Sequence, residues 1–130
     1  MNEPAHIRTP LGRVRGWGSA KSGTGHFWHQ RVTAIANIPL TIAAVIIIIT
    51  LLGRNQAAAA QILGSPAVAI IMLLFILSTT VHMRIGMAVI IEDYVHDESA
   101  RLTLLMANTF FTVAVGLAAV YGILKLSFGL

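Results

Sequence analysis

No cysteine occurs in the 130 residues. That excludes a disulfide, a cysteine-ligated zinc and any iron–sulfur cluster held by this chain alone. Charge is scarce too, with nine Lys and Arg against five Asp and Glu, 11% of the chain, far below the quarter typical of soluble domains. The net charge of +4 collects mostly in the N-terminal arm and gives no warrant for a nucleic-acid partner. No glycine-rich phosphate loop, internal repeat or low-complexity tract is present, and no soluble catalytic domain fits in the connecting segments.

What is abundant is apolar. Hydrophobic residues make up 56% of the chain and the mean hydropathy is +0.79, outside the soluble globular range. Three apolar windows, about residues 32–52, 67–91 and 102–128, each reach the ~20 residues a helix needs to cross about 30 Å of hydrocarbon. The fold class expected is all-α, an integral membrane protein of three transmembrane helices in a single anchor domain. The first window is too long for a signal-peptide core and no A-x-A-like site follows it, so it reads as a retained helix. Arg8, Arg13, Arg15, Lys21 and Arg31 precede it, whereas the next connection, 53–65, holds only Arg54. The positive-inside rule puts the N-terminus in the cytoplasm and the C-terminus outside.

Residues 1–30 read as a basic cytoplasmic arm. Five glycines among the first 25 residues, Gly12, Gly16, Gly18, Gly23 and Gly25, favour an extended conformation there. Its roles are topology, contact with anionic lipid, or docking of a soluble partner. Trp17 and Trp28 suit a headgroup-level belt. Asn37 and Pro39 fall in the first turns of helix one, where a proline is tolerated. The alanine-rich stretch 54–63 suits a short interfacial helix, and Gly64, Ser65 and Pro66 mark the start of helix two. Helix three carries Asn108, Thr109, Thr112, Gly116, Ala119 and Gly122 among its apolar residues, the small ones letting helices approach closely.

The chemistry concentrates near the end of helix two. His82 precedes Asp93 by 11 residues, about 20° beyond three full turns, so the two share a face and His82 is roughly 16 Å deeper. Ser78, Thr79 and Gly86 lie on that face, Gly86 offering room for something flat. An ionisable residue at such depth is a functional candidate. Three roles fit: an axial ligand to haem iron, a proton relay, and an interhelical hydrogen bond. The apolar residues between His82 and Asp93 favour the ligand over the relay. Counting inward from Arg31 and Leu102 puts Ile42 and Val113 level with His82, and neither is a ligand. His26 and His29, read as preceding helix one, and His96 in the loop are expected near the cytoplasmic surface, so a second axial histidine has to come from another chain. Arg84 is on a different face and suits snorkelling to the headgroups or pairing with a carboxylate of a partner. Arg31 is expected to open helix one at the height of Asp93, where it can pair with an acid of the inner loop or with an anionic cofactor edge.

The stretches "SGTGHFWHQRVTAIANIPL" (22–40) and "HMRIGMAVIIEDYV" (82–95) together resemble the hydrophobic membrane anchor subunit of succinate dehydrogenase, respiratory complex II, of cytochrome b556 type. The resemblance covers roughly residues 11–125, and its most specific element is His, ten residues, then Asp-Tyr. It implies that His82 is an axial ligand of haem b, whose other ligand comes from a second membrane anchor subunit. It further implies that Tyr94, with Asp93, belongs to the ubiquinone site, that Arg31 supports haem propionates or the site, and that the iron–sulfur subunit and the flavoprotein subunit dock on the inner face of a bacterial cytoplasmic membrane. In that setting succinate oxidation is the complex's chemistry and not this chain's own. Two other readings of the residues remain: a small proton- or ion-conducting subunit using His82 and Asp93, and a purely structural membrane scaffold.

Overall fold

A computed structural model describes residues 21–129, with side chains from residue 24 onward. Among the described residues four helices follow one another: α1 (Lys21–Leu51), α2 (Gln56–Gly64), α3 (Pro66–Tyr94) and α4 (Glu98–Phe128). The described residues contain no strand. Three of these helices, α1, α3 and α4, are long and apolar enough to cross a membrane. This is the three-span, all-helical architecture expected, with α2 as the short connecting helix.

The boundaries are set by recognisable chemistry. Asn55 caps α2 by accepting from the Ala58 N–H at 2.9 Å, and Pro66 opens α3 at a position where its missing N–H costs nothing. Asp97 caps α4 through the Ala100 N–H at 2.8 Å, with Glu98 in the first turn and Lys125 in the last, each complementing the helix dipole. Gly129 closes α4 at φ 68°, a left-handed position that favours glycine.

The start of α1 departs from the sequence reading. The helix begins at Lys21, so Gly23 and Gly25 are helical and not part of an extended arm, while residues 1–20, including Arg8, Arg13, Arg15 and Trp17, lie outside the described region. A glycine costs about 1 kcal/mol in a helix, but extending an established helix by one residue needs no new nucleus and gains a hydrogen bond. His26, His29 and Arg31 are therefore inside the helix and do not precede it. Further along, Pro39 is accommodated with the helix continuing to Leu51.

Helix α3 is the middle member. It packs against α1 on one side and α4 on the other, and α2 braces the far ends of α3 and α4. The seams use small residues: Ala44 and Ala69 are buried, and so are Thr112 and Gly116 of α4. Gly116 is close enough to α3 that an added Cβ would sit 3.1 Å from Thr80 Cγ2. Large apolar side chains instead point outward, Ile35, Ile38, Leu117 and Phe110 among them, each more than 60% exposed. For a chain in lipid that inversion is expected, because acyl chains solvate such side chains as well as a protein core does.

Candidate functional site

Most of the polar contacts between spans among the described residues gather in the α1–α3 seam. His82, half-buried, places its Nδ1 3.1 Å from Thr33 Oγ1. The same threonine hydroxyl lies 2.7 Å from the His29 carbonyl and 3.2 Å from that of Gln30. One turn further along, Ser78 donates to the Thr33 carbonyl at 3.4 Å, and the Thr79 hydroxyl reaches Asn37 Oδ1 at 3.5 Å. Ser78, Thr79, His82 and Gly86 thus do lie along one side of α3, and that side is turned to α1.

These pairs fix the register of the two helices and revise the depths counted from sequence. Thr33, not Ile42, stands level with His82, and Gln30 stands level with Gly86. Arg31 then falls beside Ile85, about 12 Å deeper than Asp93 and not at its height. The error has one source, the assumption that α1 begins at Arg31. His29 is one turn, about 6 Å, from the His82 level, nearer than the sequence reading places it, and its Nδ1 donates to the Gly25 carbonyl at 2.8 Å. On the other side, Asn108 donates to the Arg84 carbonyl at 2.9 Å and Gly116 meets Thr80. Those two contacts bracket His82 and put Thr112 and Val113 at its level, as counted.

Gly86 does not open a flat slot. Its missing side chain is replaced by the Gln30 amide, whose Nε2 would lie 3.3 Å from an added Cβ. The Oε1 of Gln30 is buried without a protein partner, which leaves an acceptor facing a ligand or water. Beside it runs a cavity of about 590 Å³ between α1 and α3, lined by His26, Phe27, Gln30, Arg31 and Glu92 among others. A second, of about 390 Å³, sits over α3 between α1 and α4, with His26, His29, Arg84, Glu92 and Asn108 in its wall. Arg31 stacks over the Phe27 ring at 4.5 Å, a cation–π arrangement.

The carboxylate in these cavities is Glu92. Asp93 and Tyr94 lie in the last turn of α3 and are exposed, Tyr94 to 77%. Sequence reasoning does not single out Glu92, Gln30, Thr33 or Asn108 for the site. Glu92 follows Ile85 and Val89 at helical i, i+4, i+7 spacing, a signal that was there to read. Gln30 and Thr33 become visible only with the correct start of α1.

The chemistry of His82 fits a haem ligand. His82 has one ring nitrogen held by Thr33 and no protein partner for the other among the described residues. No cluster of three or more His, Cys, Asp or Glu suited to a metal ion occurs among them. A haem beside this seam could take the free ring nitrogen of His82, with His29 one turn away along α1.

Three apolar spans, with most of the polar contacts between them near His82, define a small multi-pass integral membrane protein. The chain belongs to the family described as the succinate dehydrogenase/fumarate reductase transmembrane subunit, whose profile matches residues 6–117. Among its relatives, the succinate dehydrogenase hydrophobic membrane anchor subunit of Paracoccus denitrificans is 31% identical over 121 residues, 93% of each chain. That of Rickettsia bellii is 32% identical over 109 residues, covering 82% of this chain and 86% of the relative. The succinate dehydrogenase membrane anchor subunit of Reclinomonas americana is 35% identical over 93 residues, 63% of this chain and 71% of the relative. No solved structure matches significantly.

Proposed function

We propose that this chain is a membrane anchor of a succinate dehydrogenase, holding the flavoprotein and iron–sulfur subunits at the cytoplasmic face of a bacterial inner membrane together with a second anchor subunit. Near-full-length similarity to named anchor subunits supports the anchoring role. The half-buried His82, with one ring nitrogen unengaged, is the observation that carries the cofactor reading. When bound, haem b supplies a one-electron store within the membrane. His82 would hold it from this chain through its free ring nitrogen, and Arg31, on the wall of the 590 Å³ cavity, would offer a cation to the propionate edge or to the site's other anionic groups.

Ubiquinone belongs at the end of α3. The Tyr94 phenol donates to a quinone carbonyl, and Asp93 beside it holds or passes a proton to the reduced product. Both are exposed, which suits residues whose site is completed by other subunits. The basic arm favours the same side through its charge. The test is spectroscopic. The intact complex should show a low-spin haem that is altered in His82→Ala, and an unchanged spectrum in that variant rejects His82 as the ligand.

A further inference from the structure

Thr33 has a single hydroxyl proton and three oxygen or nitrogen neighbours. The shortest contact, 2.7 Å, runs to the His29 carbonyl, which can only accept, so the proton is committed there. The Gln30 carbonyl at 3.2 Å also only accepts and at most shares that proton. The remaining contact, 3.1 Å to His82 Nδ1, then has one consistent assignment: the ring nitrogen donates and the threonine oxygen accepts. Resting on the axial-ligand reading of His82, we infer that Thr33 is a positioning residue that fixes the tautomer and aim of that imidazole.

The consequence is chemical. A neutral imidazole protonated at Nδ1 carries its lone pair on Nε2, the form a metal requires. A ligating histidine normally hands its other N–H to an acceptor, which orients the ring and raises its basicity. Here the acceptor is itself anchored. The Thr33 hydroxyl is tied to its own helix, while the Thr33 carbonyl receives Ser78 from α3. The ring is thereby held by α1 although it is borne on α3, so the mutual register of the two helices sets where Nε2 points. Valine at position 33 would keep the shape and remove the acceptor, leaving a part-buried N–H unpaired.

The experiment uses the whole complex purified from membranes, with Thr33→Val, Thr33→Ala and Thr33→Ser compared with the unaltered protein and with His82→Ala. Two quantities are read, haem retained against an apoprotein acceptor and the haem midpoint potential. Val and Ala should weaken haem retention about tenfold to a hundredfold, the usual effect of losing an outer-sphere partner. They should also raise the potential, because a less basic imidazole stabilises ferric iron less. Serine, which restores the oxygen without the methyl group, should return both values to those of the unaltered complex. Wild-type potential and retention in Val or Ala overturn the inference. So does a serine variant as altered as valine, since then the hydroxyl is not what position 33 supplies. If His82→Ala itself leaves the low-spin spectrum intact, the ligand reading has failed. If His82→Ala changes the spectrum while Thr33→Val changes nothing, only the positioning role is wrong.

Discussion

Tyr94 and His82 ask different things of their surroundings. On the proposed quinone reading, the phenol of Tyr94, 77% exposed, gains its value only when a quinone oxygen accumulates negative charge on reduction, which is where binding energy accelerates turnover. A hydrogen bond to a charged group contributes about 1.5–3 kcal/mol, so Tyr94→Phe should lower ubiquinone reduction by roughly tenfold to a hundredfold. Succinate oxidation with an artificial acceptor that takes electrons upstream should be unaffected. Measuring both rates in one membrane preparation decides it: equal rates before and after the substitution exclude the contact. The deeper pair, His82 and His29, is separated by substitution in the same way. His82→Ala should alter the low-spin haem spectrum and lower occupancy, whereas His29→Ala, whose ring is tied to the Gly25 carbonyl of its own helix, should change either by much less. A His29 variant as damaged as the His82 variant would reassign the ligand.

At the level of elements, the tightest approach lies away from the histidine. Gly64 ends α2 where a Cβ would meet the Leu126 carbonyl oxygen at 2.7 Å and Leu126 C at 3.4 Å, backbone atoms that cannot turn aside as a side chain can. Gly64→Ala should therefore push α2 off α4 and cost about 1–3 kcal/mol, the usual range for overpacking. Gly122, with nothing within 4 Å, is the control: alanine there should be neutral or slightly stabilising. Thermal unfolding of the detergent-solubilised complex compares them, and equal midpoints would mean that the α2–α4 joint yields freely. The contrast also shows which parts of this molecule are legible in its sequence. Span number, the short connecting helix and Pro66 at the head of α3 follow from hydropathy and caps, which are local. Gly64 and Gly122 look alike in sequence, because what separates them is a contact between segments about 60 residues apart. The start of α1 is hidden for a related reason. Glycines and charges mark an arm by composition, yet a long apolar helix can carry its hydrogen-bond ladder into them. That one boundary displaces Arg31 by about 12 Å and hides Gln30 and Thr33 from the site, although the His82 position itself needs no register to be found.

For the molecule as a whole, the question is how much of a haem site one chain contains. Level with His82 stand Thr33 of α1 and Thr112 and Val113 of α4, none of which binds iron through a ring nitrogen. The three spans lie with α3 between α1 and α4, so most of their apolar surface faces outward, free to meet lipid or another membrane subunit. On the proposed reading, a low-spin haem with two imidazole ligands takes its second histidine from outside this chain. Expressed in membranes without its sister anchor, the chain should insert, because its spans satisfy their backbone groups internally, but should show no low-spin haem spectrum. Co-expression of the sister anchor should restore it. Insertion is checked by carbonate-resistant membrane retention, which separates a missing ligand from a missing protein. A low-spin spectrum from the inserted chain alone would overturn the shared-site reading and turn attention to His29, one turn from the His82 level. In that event His29→Ala in the same preparation should abolish the signal. If it did not, the pairing of His29 with His82 would be excluded as well.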